Sequence, residues 1–448
     1  MTSTLPDGNM SLGATRNQDQ LSSLSDPSNP IPDPLAIIRE AELRRKWATY
    51  VENEYTRCKW ARVPFERQWY LNLSFIAGRQ YVAPIEVANQ GFRLTTPKSP
   101  PWQVRLVINK IRTAVRRETA KLTSGKPIPV VVPASTDEED YTAARVAEQL
   151  LKHAFSRAEF ESEYRSAVWW ASATGISFMK SYWDPSAKDW ESTDQSQSAQ
   201  QPNPMSPHMP PMPVQPVMGK IKMERVTPFH IYVPDLLAED LEKQPYIIHA
   251  TTRSVNDLQR RFPGETFTAD SKASNTIMES AVLMTKGTQE HMDSVLVLEM
   301  WIKPGSHPDF PEGGVLTVAN TKVIQVVKKW PYPFPEYPFY RIAGIPTGGF
   351  YPDSVIVDLI PIQKEYNRKK SQSIEIMNLM GKPKFVYAKG SINPRQISSE
   401  PGQGIPYTAG YPPPVPLPGV EVPASFSNEL DRLASDFDDI SGQHEISR

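Results

Sequence analysis

The chain has 448 residues, 39% of them hydrophobic, a length that by the usual domain size makes roughly two or three domains with a sizeable core. Its 49 basic and 50 acidic residues nearly cancel; a protein that grips phosphate carries a basic excess, so tight nucleic-acid binding is not expected. The single cysteine, Cys58, excludes an intrachain disulfide framework and fits assembly in a reducing compartment.

No run approaches the roughly 18–20 apolar residues of a membrane span, and the opening MTSTLPDGNM lacks the basic region and apolar core of a secretory signal. Residues 1–34, rich in Ser, Asn, Asp and Pro without apolar periodicity, are expected to form a disordered arm. Asp33-Pro34 then offers a cap and a first-turn proline for a charged helix reaching about Lys59. Pro64 is expected to open a second helix, closed by Gly78. Residues 82–103 are expected to be irregular.

NKIRTAVRRETAKL (109–122) has the pattern of a basic amphipathic helix, with Ile111, Val115 and Leu122 on its apolar side. IPVVVPA (128–134) has the β-branched content of a short strand. One long helix is expected from the acidic run at Asp137 to Gly175, with Leu150, Leu151, Ala154 and Phe155 on one face.

Segments 176–184 and 219–228 alternate as a strand pair. Between them, residues 185–218, rich in Pro, Gln, Ser and Met, form a flexible insertion rather than a core element. Ser254 is placed to cap a short helix, and 265–290 resembles a surface loop with some helix. Segments 295–302, 313–320 and 322–330 make an antiparallel meander turning at Asn320-Thr321. The aromatic and proline-rich stretch after Trp330 is expected to lie extended against the core.

A long helix is predicted over 354–380, with Pro361 tolerated near its start. Short strands and turns follow, then a helix over 425–442 with Leu430, Leu433, Phe437 and Ile440 spaced for one apolar face. The fold class is α+β, mixing helices with antiparallel β-structure.

Motifs for an enzyme are missing. There is no phosphate-cradling G-x-x-x-x-G-K-[ST] loop, no dinucleotide G-x-G-x-x-G after a strand, no H-E-x-x-H, paired cysteines or G-x-S-x-G elbow. No catalytic residue, cofactor or metal is therefore expected. Asp137, Glu138, Glu139 and Asp140 have the composition of a metal-dependent nuclease site, but their place at a helix start favours capping charges. Gly402 and Gly404 fit a turn better than a ligand contact. Lys110, Arg112, Arg116, Arg117 and Lys121 form the one basic patch; phosphate contact, pairing between subunits and a solvated face all remain open for it.

The segments 67–81, 106–151, 226–235 and above all DLIPIQKEYNRKKSQSIEIMNLMGKPKFVYAKGSI (358–392), followed by PGQGIPYTAG and DISGQHEISR, resemble in order the portal proteins of tailed bacteriophages. The resemblance covers most of residues 35–448. It implies a mixed helical and antiparallel-β wing (35–357), a first stem helix (358–380), a small β-containing clip (381–424) and a second stem helix (425–448). In the family the chain continues past that helix, so this one is expected to be a truncated or split product ending at Arg448, or to lack the upper channel.

The resemblance also implies a structural ring, twelve subunits in number, at the capsid vertex of the virion, assembled in the host cytoplasm. Its expected partners are the terminase large subunit, a head–tail adaptor, the major capsid and scaffold proteins, and double-stranded DNA passing non-specifically; none is a membrane. Glu429, Asp431, Asp436, Asp438 and Asp439 are candidate channel-facing carboxylates that repel DNA, or else a solvated or salt-bridged face. Lys364, Arg368, Lys369 and Lys370 are candidates to pair with them between subunits. Alternatives are a nuclease subunit of the packaging machine and a non-ring adaptor or scaffold protein.

Overall fold

The computed structural model describes residues 34–87, 91–101, 103–125, 128–188, 218–270, 293–381, 384–394, 404–417 and 424–442. The expected arm and the greater part of the 185–218 insertion and of the 265–290 loop lie outside these residues. What is described mixes helices with antiparallel sheets, as expected for an α+β chain.

Helix α1 (Pro34–Ile76) runs unbroken through Pro64, where two helices were expected. Proline removes a hydrogen bond to the preceding turn and its ring crowds the carbonyl four residues back, a cost of about 3 kcal/mol, and packing on both sides outweighs it. Before Pro64, Trp47, Val51, Tyr55 and Cys58 bury against a five-stranded sheet; after it, Trp69, Leu73, Phe75 and Ile76 enter a second core. Arg62 sits at the junction, 1% exposed, with its guanidinium 3.7 Å from the Tyr232 ring centroid. It donates to the carbonyls of Pro228, Phe229 and Ile231 and pairs with Glu66.

The expected irregular stretch after α1 contains a hairpin, β1 (Ala83–Val87) and β2 (Gly91–Thr95), which reaches the core through Phe92 beside Tyr70. Helix α2 (Lys110–Leu122) buries Ile111 and Val115 as predicted, but Leu122 is exposed, because the helix ends there and its last turn is left uncovered by the described residues. The 128–134 segment is extended without pairing to any strand: Pro129 and Pro133 lack the N–H groups a ladder needs.

The single long helix expected over 137–175 is two, α3 (Glu138–Arg157) and α4 (Phe160–Thr174), divided where Glu159 takes a left-handed φ of 51°. The apolar face read on the first of them is not buried in the subunit. Gly175 ends α4 as expected; its φ is +92°, and a Cβ there would lie 2.2 Å from the Pro352 carbonyl oxygen, so only glycine fits.

Two sheets follow. Strands β3 (Ile176–Lys188) and β4 (Met218–Val226) form the expected pair, joined on the other side of β3 by β10 (Phe339–Ala343). The second sheet runs β5 (Ile231–Tyr232), β6 (Tyr246–Ser254), β7 (Ser294–Ile302), β8 (Gly314–Ala319) and β9 (Lys322–Val327), all antiparallel. Asn320 and Thr321 form the β8–β9 turn with φ of 47° and 62°, the signature of a two-residue primed hairpin. Ser254 caps the short helix α5 (Val255–Arg261) through its hydroxyl, as predicted.

Strand β7 is covered on both faces, so its sequence runs nearly all apolar. Leu296, Leu298, Met300 and Ile302 face the α1 core, whereas Val295 and Val297 join a third cluster with Leu258. Helix α6 (Ile356–Gly381) and helix α7 (Ala424–Ile440) flank a small β-pair, β11 (Phe385–Val386) and β12 (Val415–Pro416). No helix among the described residues is long and apolar enough to cross a membrane.

Candidate functional site

Helix α6 organises the region that the carboxy-terminal pattern singles out. Every fourth residue on one of its faces is polar and buried or half-buried: Gln363, Asn367, Ser371 and Glu375. Opposite them the chain from 104 to 109 lies extended, outside any strand ladder, up to the first residue of α2, and turns alternate N–H groups toward the helix. Lys110 N donates to Gln363 Oε1 and Ile108 N to Asn367 Oδ1, both at 3.0 Å. Leu106 N donates to Ser371 Oγ at 3.0 Å and Val104 N to Glu375 Oε1 at 2.8 Å.

The match is geometric. Four helical residues rise about 6 Å, and two extended residues span about 6.6 Å, so the two periods stay in step over four bonds. Gln363 Nε2 returns a bond to the Ile108 carbonyl, Tyr81 donates to the Leu106 carbonyl, and Asn367 donates to Gln80. Buried polar groups of α6 are thus satisfied by main chain that has no strand partner. This docks α6 onto the 104–110 segment and, through Asn109, onto the end of α1: Asn109 Nδ2 donates to the Phe75 and Ile76 carbonyls.

Helix α7 packs along α6. Phe437 reaches the core that holds Ile356, Leu359 and Ile360 near the start of α6, whereas Phe426 lies under Lys369, further along it. The two helices therefore run antiparallel. Leu430 and Phe437 are buried and Leu433 half-buried, as the spacing predicted; Ile440 is 49% exposed, since it ends the helix beyond the packed face.

Lys110 joins α2, α6 and α7. Its ammonium lies 5.0 Å from the Tyr366 ring centroid and 5.4 Å from that of Phe437. Burial lowers its pKa, and the nearby Asp438 carboxylate works against that shift.

Several of the predicted basic residues are likewise engaged within the chain. Arg112 Nε donates to the Ile76 carbonyl at 2.8 Å, Lys364 lies over Phe75, and Arg368 pairs with Glu365. Arg116, Arg117 and Lys121 occupy the exposed side of α2, and Lys370 is half-exposed on α6.

Of the acidic residues, Glu429, Asp431 and Asp439 are exposed, and Asp436 and Asp438 are half-buried. At 100° per residue, Glu429 and Asp436 fall on one flank of α7, Asp431 and Asp438 on the other, and Asp439 faces away from α6. Asp137, Glu138, Glu139 and Asp140 stand at the start of α3, far in sequence from the other acids, and among the described residues no cluster of His, Cys, Asp or Glu is placed to hold a metal ion. Gly402 lies outside the described residues; Gly404 sits in an irregular stretch with open space around it.

The polar ladder was missed from sequence. Its signal is the four-residue spacing of Gln363, Asn367, Ser371 and Glu375 on a helix whose other faces are charged or apolar. No curated protein matches the chain. A family model described as phage P22-like portal protein matches residues 96–307 and 315–447, which takes in the 104–110 segment, both sheets, α6, the β11–β12 pair and α7. With most of its length matched, the chain belongs to the phage P22-like portal protein family.

Proposed function

We propose that this protein is the subunit of a portal ring at the capsid vertex, in which α6 and α7 form the stem around a DNA channel. Residues 35–357 act as the wing and 381–424 as the clip that docks the terminase large subunit and a head–tail adaptor. The observation that carries the reading is the family match across both helices and the segment between them. The antiparallel packing of α6 on α7 and the anchoring of α6 along the 104–110 segment support it, because a channel wall needs long helices held at a defined angle.

The mechanism is one of shape and charge. A ring closes when two different faces of each subunit meet head to tail, and obligate interfaces of this kind bury more than about 2,000 Å². Exposed carboxylates on α7, among them Glu429, Asp431 and Asp439, face the passing duplex and repel its phosphates, so that DNA slides without sticking. Lys370 and Arg368 supply the cations that pair with the flanking Asp436 and Asp438 of the neighbouring subunit. The near-zero net charge fits a conduit better than a binder.

The test is native mass measurement with negative-stain microscopy of the purified full chain. Closed rings with a central opening are expected; a stable monomer under assembly conditions overturns the reading and leaves the adaptor alternative.

A further inference from the structure

Helix α3 buries none of its 20 residues. Val146 and Leu150, one turn apart, are 52% and 64% exposed. The helix meets the rest of the subunit mainly at its carboxy-terminal end, where Phe155 packs on Phe160 with ring centroids 4.4 Å apart. Helices in proteins take most of their stability from packing an apolar face, and this one, about 30 Å long, has its face open.

Beside it runs the extended 128–133 segment. Ile128, Val130 and Val132 point outward at 68%, 71% and 80% exposure, whereas Pro129, Val131 and Pro133 are half-buried. The Glu148 carboxyl of α3, lowered first by Lys152, also receives the Val131 backbone N–H, which ties segment to helix. The outward row has a strand's period of two without a strand beside it. Two apolar rows on one protrusion exceed the scattered exposure of an ordinary surface.

Charge points to the occupant. Asp137, Glu138, Glu139 and Asp140, at the start of α3, make no ion pair among the described residues, and neither do Arg116 and Lys121 in the carboxy-terminal half of α2, whose last turn leaves Leu122 54% exposed. The start of α3 is therefore acidic beside an open apolar row, and the carboxy-terminal half of α2 is basic with an exposed apolar side chain at its end. A head-to-tail contact between copies requires such a non-identical pair of faces.

We propose that α3 with the 128–133 segment is one face of the contact between neighbouring subunits, received by the exposed carboxy-terminal half of α2, with Arg116, Lys121 and Leu122, of a second copy of this chain. The inference deepens the ring reading and rests on it.

The experiment compares ring yield by native mass spectrometry for the full chain and for three variants. Val146→Asp with Leu150→Asp is expected to raise the concentration needed for half-assembly at least about tenfold, because two apolar side chains lose their burial. The subunit should melt unchanged, since both positions are exposed in it. Glu138→Lys with Glu139→Lys should also weaken assembly, and adding Arg116→Glu with Lys121→Glu in the same chain should restore it. Normal rings from the apolar variant, with the wild type assembling, overturn the interface and assign the face to another partner. Failure of the charge reversal to restore assembly overturns the pairing with α2. A wild type that forms no rings brings down the ring reading itself.

Discussion

The ammonium of Lys180, on β3, lies 3.0 Å from Oε2 of Glu299, on β7, and so joins the two sheets through the core. His249 Nδ1, on β6, is 3.3 Å from the same carboxylate oxygen, and the ring of Phe339 lies within 5.2 Å of both Lys180 and His249. Glu299 is the one half-buried position on β7, in a strand whose other positions are all buried and, but for Ser294, apolar. Lys180→Met alone leaves a carboxylate in the core facing a neutral side chain. We expect it to cost about 3–5 kcal/mol, and Lys180→Met with Glu299→Leu to recover most of the loss. Urea unfolding of the single and double variants measures both.

The same cluster predicts an acid-labile subunit. Burial lowers the pKa of His249 despite Glu299 beside it, and burial brings His230 down to about 3. For Glu299, burial alone would raise the carboxyl, but Lys180 and the His249 hydrogen bond outweigh it and bring it to about 2. Both histidines are neutral when folded and take up protons on unfolding, so the unfolded state binds more protons below pH 6.5. Stability is then lost as pH falls from about 6.5, by up to about 1.4 kcal/mol per unit for each group; Glu299 adds to the loss below its unfolded value. Melting curves from pH 8 to pH 4 should show the decline starting near 6.5. His230→Asn should make it shallower, and an unchanged slope would count against burial of a neutral ring.

Arg62 should be among the costliest single positions. Its guanidinium holds three main-chain carbonyls and Glu66 beside the Pro64 site in α1. Arg62→Ala leaves the half-buried Glu66 carboxylate without its partner and takes a donor from three carbonyls, and a loss of about 3–5 kcal/mol is expected. Arg62→Lys should rescue little, because a point charge cannot reproduce the planar fork. Chemical denaturation of both variants tests this, with Arg44→Ala, in an exposed pair, as the neutral control.

Asn367→Ala strips the ladder of a group that bonds both Ile108 N and Gln80. Each group left unpaired costs about 1–3 kcal/mol. Amide exchange at Ile108 should accelerate with that loss, and Arg368→Ala, whose Glu365 pair is exposed, should leave it unchanged.

In assembled rings, Glu429→Gln with Asp431→Asn and Asp439→Asn removes the three exposed α7 carboxylates. Packaging rate or DNA retention should change measurably, with retention rising as the repulsion falls. Packaging and retention indistinguishable from wild type would remove the channel role of these residues.

Periodicity determined the elements that one amphipathic face defines. The α2, α6 and α7 helices, the β3–β4 pair, the meander with its Asn320-Thr321 turn and the Gly175 stop were all legible, because apolar spacing, capping and a left-handed glycine act locally. The order of these segments, more than any one of them, also carried the resemblance to portal proteins. Tertiary structure decided the rest. Pro64 stays inside α1 because two separate cores grip the helix on either side of it and outweigh the missing hydrogen bond and the ring's crowding of the preceding turn. Glu159 breaks a helix whose apolar pattern runs on, and the 128–133 segment pairs with no strand although its residues favour one. The ladder of Gln363, Asn367, Ser371 and Glu375 depends on a segment some 260 residues earlier, so nothing near it in sequence announces its partner. Which apolar rows are buried and which stay open, as on α3, is set by what packs beside them, and local sequence does not encode that.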